Sequence, residues 1–349
     1  MRLSTIPKES QNLGLFCAFM GGNMKPFITA TQQINTLQNR NLLVKNPSRA
    51  EKALMRYGYY EIVNGYKQFL LDSSQTTEKY KTDSTFEKLL ALYKLDKEIR
   101  YAVLISTLEI ELSLRTAIAY TLAESFGVHE QTYLNYRNFQ QGNPIWVTGE
   151  NPTNERARML DILHEILNRR IEPLNHYRNV HNHIPPWILL KETSFGNLKH
   201  IFKLLKGPQK KKVIAICYSI DEKNVTQEHI VLFKDSLALI NCFRNRAAHN
   251  GRMFNFKPNN CIVQHNSLFH PVHAITPADY RNGKGKNDLY TFYKLLSYFE
   301  NYNARDKFEF YVPFFLCEHC KKYPSDLQLF VDGMGFPIED MQKLIDKFQ

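Results

Sequence analysis

The sequence predicts an all-α protein in which long helices are joined by irregular segments. Helix-capping residues and apolar spacings of three, four and seven dominate from residue 24 onward. Residues 84–126 contain no glycine or proline, and this stretch predicts one long helix or two nearly collinear ones. No segment alternates apolar and polar residues for long enough to build a sheet.

The first helices are predicted from their capping residues. Thr29 and Gln32 can form a capping box at the start of a first helix, and Ser48 can cap a second one. Ser84 and Glu87 have the same capping-box spacing and are predicted to start the long helix, which continues to about residue 126.

The C-terminal part contains further predicted helices, of which the segment 228–249 is the clearest. Leu232, Leu239 and Phe243 lie along one side of it, and Asn250 followed by Gly251 predicts a left-handed helix end. The predicted helices of this part span 154–174, 188–205, 228–249, 288–302 and 337–348.

The sequence predicts one main domain. Residues 1–24 are interpreted as a loose N-terminal extension, and residues 25–349 as a single helical domain. Within that domain we distinguish an N-terminal helical part (25–130), a more polar insertion (131–182) and a part that carries the candidate site (183–349).

The charge balance favours a polyanionic partner. The chain has 45 Lys and Arg against 34 Asp and Glu, a formal net charge of +11. Such a surplus attracts nucleic acid through counterion release, although many basic proteins bind none. No apolar run approaches the roughly 20 residues that span a bilayer. We therefore expect a cytoplasmic protein without a membrane segment, with RNA as a partner.

The six cysteines predict neither a disulfide framework nor a metal centre. Several lie in apolar runs, which is typical of reduced, buried thiols. Cys317 and Cys320 have the spacing of a zinc knuckle, but a structural zinc site needs four ligands and no second pair exists. We expect no metal and no cofactor.

The candidate catalytic residues are Arg244, Asn245 and His249. The Arg-to-His spacing recurs at Arg158–His164, Arg170–His176 and Arg178–His183, so the spacing alone is not specific. Arg244 and His249 are distinguished by their place at the end of a strongly apolar helix, where Asn245 and His249 share a face. A helix C-terminus also favours the protonated imidazole.

These residue types suit the cleavage of RNA by its own 2′-hydroxyl group. A histidine can accept or donate the proton, and an arginine can hold the charge on the phosphorus centre. One suitable histidine per chain predicts a homodimer in which two copies supply acid and base. Composition and spacing alone favour a structural role, in which His249 only caps the helix and Arg244 and Arg246 lie on a solvated face. The candidate RNA-binding residues are Arg246, Arg252, Lys203, Lys206, Lys210, Lys211 and Lys212.

Several motifs in order resemble the abortive-infection AbiD/AbiF-like (Abi-2) family, a branch of the HEPN ribonucleases. The resemblance covers residues 25–336. Arg246 stands where many relatives carry an apolar residue, and Asn250 where a second histidine is frequent. The motifs occupy residues 25–27, 57–66, 92–96, 108–111, 114–116, 185–187, 194–196, 243–245, 248–252 and 334–337.

The resemblance implies a HEPN-like helical bundle, Arg244 and His249 as the catalytic pair with Asn245 beside them, and dimerisation. It also implies a toxin-like role in phage defence, with a protein or an RNA as the restraining partner. Two other functions remain open at this point. One is a HEPN module that binds RNA without cutting it and forms a regulatory ribonucleoprotein, and the other is a scaffold whose charge only aids solubility.

Overall fold

The computed structural model describes residues 26–146 and 152–348. The predicted extension 1–24 lies outside these ranges. The described residues are helical except for turns, loops and one antiparallel pair of two-residue strands, β1 (Pro144–Ile145) and β2 (Thr153–Asn154). The all-α prediction is therefore confirmed.

The chain forms two compact units, one ending at Tyr93 and the other beginning at Lys94. The first contains α1 (Ala30–Asn39) and α2 (Pro47–Tyr57), followed by a π-helical turn (Tyr60–Asn64) and a 3-10 turn (Lys67–Phe69).

The caps of α1 and α2 test two of the predictions. The capping box of α1 is confirmed, because the Gln32 amide donates to Thr29 Oγ1 at 3.2 Å and the Thr29 amide donates to Gln32 Oε1 at 2.8 Å. The predicted cap of α2 is wrong. Asn46 accepts from the Arg49 amide at 2.9 Å, and Pro47 occupies the first helical position, where its missing N–H group is not needed.

The long helix α3 (Phe86–Phe126) extends over 41 residues and crosses the boundary between the units. Its start differs from the predicted capping box. The acceptor for the Lys88 amide is Thr85 Oγ1, at 3.1 Å. Ser84 is drawn inward to the Leu70 carbonyl, and Glu87 accepts from the Asn46 amide at 3.1 Å. Ser84 and Glu87 therefore bind residues distant in sequence and do not form the predicted capping box with each other.

The second unit is organised around α10 (Gln227–Ala248), the helix that was predicted at 228–249. It packs against α8 (Phe195–Leu204), α9 (Gly207–Tyr218) and α12 (Leu289–Leu296). The Phe202 and Phe233 rings are 4.7 Å apart, and the Phe243 and Phe292 rings 5.1 Å. These contacts fix α10 on its apolar side. The other helices between α3 and α12 are α4 (Glu130–Tyr133), α5 (Glu155–Leu167), α6 (Leu174–Val180), α7 (Pro186–Leu189) and α11 (Pro277–Arg281).

The C-terminal region differs most from the sequence prediction. It contains α13 (Tyr302–Lys322), α14 (Asp326–Met334) and α15 (Ile338–Ile345), of which only the last was predicted. Pro313 lies inside α13 and is buried, at a position where the sequence suggests a break. None of the helices in the described ranges is both long and apolar enough to cross a membrane.

Candidate active site at the end of helix α10

The last turn of α10 closes in a Schellman motif. The Gly251 amide donates to the Arg246 carbonyl at 2.9 Å, and the Asn250 amide donates to the Ala247 carbonyl at 3.3 Å. Asn250 has φ of 57°, in the left-handed region that such a helix end requires. The predicted left-handed end is confirmed. His249 is the C-cap residue immediately before it, so the backbone that carries the imidazole is fixed.

The Arg246 side chain folds back over the glycine that follows the helix. A Cβ atom on Gly251 would lie 2.1 Å from Arg246 Nε, so the close approach requires glycine. Arg246 Nε donates to the Arg252 carbonyl at 3.2 Å, and its guanidinium group lies 5.1 Å from the centre of the Phe256 ring. Arg246, a predicted RNA-binding residue, therefore also holds this turn in place.

A buried carboxylate anchors the chain just beyond the turn. The Met253 amide donates to both carboxylate oxygens of Asp96 at 3.0 Å, and the Phe254 amide donates to Oδ1 at 2.7 Å. Asp96 is fully buried and also forms an ion pair with Arg100 at 3.3 Å. A buried charge is tolerated where several donors surround it, as here. Asp96 ends the sequence motif at residues 92–96, for which no role was predicted.

The three predicted catalytic residues lie together on the end of α10. Asn245 and His249 are exposed, and Arg244 is half-buried. Arg244 Nη1 is 3.5 Å from Asn245 Oδ1, which is a long and weak contact. Arg244 Nε is buried and has no hydrogen-bond partner among the described residues. The last turn of α10 therefore carries both a guanidinium group without a strong internal partner and an accessible imidazole.

The cysteines correct one expectation. Cys242 and Cys261 form a disulfide that joins α10 to the segment after it, two positions before Arg244. The expectation of reduced thiols is therefore wrong for this pair. The sequence could not reveal the pairing, because it depends on how the chain returns after 18 intervening residues. Cys217 is buried and free, and the free Cys317 and Cys320 are half-buried.

The predicted basic run is partly neutralised by neighbours. Lys203 pairs with Glu155 and Lys212 with Glu124, while Lys210 donates to Gln140 Oε1 at 3.2 Å. Burial lowers the pKa of Lys210, and the nearby Lys234 and Lys203 lower it further. Lys206 and Lys211 are exposed. These two lysines are the members of the run best placed to meet a polyanion in solution.

The competing Arg–His pair at residues 178 and 183 has a structural explanation. Arg178 donates to Asn175 Oδ1 at 2.9 Å and to the carbonyl groups of Leu167 and Arg169. His183 Nδ1 lies 2.8 Å from the His181 carbonyl oxygen. The Arg178 guanidinium therefore caps the C-terminal end of α5. Few of its N–H donors remain for a substrate.

The fold and the site define a helical protein that presents an arginine, an amide and a histidine at one anchored helix end. The chain belongs to the family of Abi-like proteins, whose family model matches residues 52–255. Membership of this family suggests a role in abortive infection. Searches of curated proteins and of solved structures found no match.

Proposed function

We propose that this chain is a metal-independent endoribonuclease of the HEPN type that acts as a toxin-like protein in abortive infection. Its catalytic residues are Arg244, Asn245 and His249. The observation that carries the proposal is that the exposed His249 and the half-buried Arg244 share one helix end, which is fixed by the Schellman motif and by Asp96. A catalytic site requires such pre-organisation, because a small displacement of the reacting groups costs rate.

The proposed reaction uses the 2′-hydroxyl group of RNA as the nucleophile. His249 of one copy takes the hydroxyl proton, and His249 of the second copy protonates the leaving 5′-oxygen. Arg244 holds the equatorial oxygens of the pentavalent phosphorus through the outer nitrogens of its guanidinium group, whose one contact with a neighbouring side chain, Asn245 Oδ1 at 3.5 Å, is weak. The products are a 2′,3′-cyclic phosphate and a free 5′-hydroxyl. Because the guanidinium is permanently charged, this chemistry requires no metal ion.

Other cations of the chain are available for the remaining phosphates. Arg252 directly follows Gly251, and the exposed Lys206 and Lys211 lie at and after the start of α9. Together with the formal net charge of +11, these cations favour an RNA backbone through sequence-independent contacts.

A second copy of the chain would find an apolar surface on α3. Tyr101, Leu108 and Leu112 are each exposed to between 46% and 55%, although they lie in the middle of a helix whose opposite side is buried. Contiguous exposed apolar side chains of this size mark interaction surfaces. With Glu98, Ile105 and Arg115, these residues recur at alternating spacings of three and four, which is the pattern of a coiled-coil seam. We call these six residues the α3 stripe.

The α3 stripe is complementary to itself in an antiparallel pair. A two-fold axis between Ile105 and Leu108 places Tyr101 opposite Leu112 of the second copy, because each pair of positions is equally far from the axis. The same register places Glu98 opposite Arg115 of the second copy. Arg115 already donates to Glu111 Oε1 at 2.6 Å within its own helix, so its guanidinium would bridge two carboxylates. Apolar contacts in the centre and opposite charges at the ends favour self-association.

The proposal is tested with purified protein and labelled RNA in the presence of EDTA. We expect fragments that end in 2′,3′-cyclic phosphate, and we expect His249→Ala and Arg244→Ala each to reduce cleavage by about 100-fold or more. Tight, salt-sensitive RNA binding without product would instead indicate the non-cleaving RNA-binding module. Cleavage that remains at the parental rate in both variants would contradict the proposed site.

A further inference from the structure

A cavity of about 560 Å³ lies between α5, α8 and β1. This volume is within the range of about 300–1,000 Å³ that is typical of small-ligand sites. Its apolar lining includes Pro144, Ile145, Met159 and Ile162, and its polar lining includes Arg158 and Asn197. Apolar walls with a few polar groups suit a flat, partly polar ligand such as a nucleobase.

One wall of the cavity is formed by α8, which packs against the helix that carries the candidate active site. A Cβ atom on Gly196 would be 3.9 Å from Asn241 Oδ1, so the first turn of α8 lies against α10 at Asn241. Phe202, at the other end of α8, lies against Phe233. The two helices therefore run antiparallel, and Asn197 is at the end of α8 nearer to Arg244. Asn241 precedes Arg244 by three residues, a rise of about 4.5 Å along the helix.

The polar groups of the cavity differ in whether they already have partners. Glu155 accepts from the Asn143 amide at 3.0 Å and pairs with Lys203. Arg158 is exposed, and its guanidinium has no hydrogen-bond or ion-pair partner among the described residues. The Asn197 amide group likewise has no side-chain partner among them, and only its backbone N–H group is used, in the cap of α8. Arg158 and Asn197 are therefore available to a ligand.

We infer that this cavity binds one unpaired nucleotide of the RNA chain that is cleaved at Arg244 and His249. The base would lie against Met159 and Ile162, with its polar edge toward the Asn197 amide, and Arg158 would hold the phosphate. The inference rests on the proposed function and adds a specificity site to it. It predicts that a base near the scissile bond is recognised and that the substrate must be single-stranded there.

The test uses full-length protein carrying His249→Ala, so that the RNA is not consumed. A 12-nucleotide RNA with a single 4-thiouridine is irradiated on this protein, and the crosslinked peptides are identified by mass spectrometry. We expect a crosslink within residues 144–145, 158–163 or 197–200 for one position of the thiouridine. Ile162→Trp fills the cavity and should remove this crosslink and weaken RNA binding about tenfold. His164→Trp, on the opposite and exposed side of α5, should change neither by more than about twofold.

Arg158→Ala is the second variant. It removes an exposed side chain and adds no bulk to the core, so the protein should still fold. It should weaken RNA binding by about fivefold or more. If both variants bind RNA like the parent and the crosslink remains, the inference is wrong. If free UMP or AMP binds the cavity but RNA does not crosslink there, the inference is also wrong. The cavity would then be a binding site for a free nucleotide.

The result is distinguishable from a failure of the proposed function. Cleavage by the parent protein without a crosslink in the cavity would leave the ribonuclease and remove the subsite. A crosslink in the cavity without any cleavage by the parent would support the nucleotide site and contradict the ribonuclease.

Discussion

Both carboxylate oxygens of Asp96 lie 3.0 Å from the backbone nitrogen of Met253, although the two residues are 157 positions apart in the chain. The contact joins the N-terminal third of α3 to the segment that leaves α10. The carboxylate thus holds the backbone four residues after His249, and the Schellman motif holds the backbone immediately after it. The geometry of the candidate site therefore depends on a residue that is far from it in sequence.

The substitution Asp96→Asn tests this dependence. It removes the charge opposite the buried Arg100 and one of the two acceptors, so buried N–H groups lose partners. We expect the free energy of unfolding to fall by about 3 kcal/mol, since breaking a buried pair costs about 3–5 kcal/mol. Chemical denaturation measures the change. Asp161→Asn, at an exposed position of α5, is the control, and an equal effect of the two substitutions would contradict the anchoring role.

The contact between Gly251 and Arg246 predicts a non-additive pair of substitutions. Gly251→Ala forces the Arg246 side chain away from the Arg252 carbonyl and the Phe256 ring. Gly251→Ala and Arg246→Ala should each cost about 1 kcal/mol of stability. In the Arg246→Ala background, Gly251→Ala should cost much less, because the obstructing side chain is gone. Additive costs in a double-mutant cycle would show that the glycine is needed for another reason.

The α3 stripe predicts that two acidic substitutions dissociate the dimer. Leu108→Glu and Leu112→Glu place carboxylates in the apolar centre of the proposed interface and should shift the protein to monomer at about 10 µM, measured by light scattering after gel filtration. Val180→Glu introduces the same charge at another exposed apolar residue and should leave the dimer intact. The double variant Tyr101→Cys/Leu112→Cys should form a covalent dimer on oxidation. Dimers that survive both acidic substitutions would exclude this surface.

The pH dependence of stability should include a contribution from His273. The pKa of this histidine is lowered to about 4 from an ordinary value of 6.5, mainly by burial and also by Lys294 and His270, while Asp340 opposes them. Above pH 6.5 the imidazole is neutral in both folded and unfolded chains and contributes nothing. Between pH 6.5 and 4 the unfolded chain binds a proton that the folded protein does not, so stability is lost as the pH falls.

The substitution His273→Phe should remove this part of the acid sensitivity. The imidazole lies 4.8 Å from the Phe269 ring, and its Nε2 atom is buried without a partner among the described residues, so a phenyl ring suits the site. Denaturation curves at pH 7.5 and 5.0 should show a smaller loss of stability in the variant than in the parent. Equal losses would mean that other groups, such as His270, dominate the response.

The sequence predicted the parts of the fold that are set locally. The capping box of Thr29 and Gln32, the length of α3 and the left-handed end at Asn250 depend on neighbouring residues, and all three are present. The helix around Pro313 was missed because proline normally interrupts a helix, whereas here the buried position in α13 accepts it.

The candidate site was only partly accessible to sequence analysis. The helix end could be predicted from the local pattern, and the residues Arg244, Asn245 and His249 do lie together on it. The anchor at Asp96 and the bond between Cys242 and Cys261 depend on contacts between distant segments. One signal was visible in advance: Asp96 and Arg100 are an acid and a base four residues apart among the apolar positions of a helix. Such a spacing suggests a buried ion pair. It does not reveal that the carboxylate also binds the backbone N–H groups of Met253 and Phe254.

The most direct test of the account is the cleavage rate in mixtures of the parent protein and the Arg244→Ala/His249→Ala variant. If each active site needs both copies, inert chains pair with parental chains and silence them. With random pairing at equal amounts, the activity per parental chain should fall to about half, and with excess variant it should approach zero. If the activity per parental chain stays constant at every ratio, the shared site is contradicted. If the variant alone cleaves RNA, the catalytic role of Arg244 and His249 is contradicted.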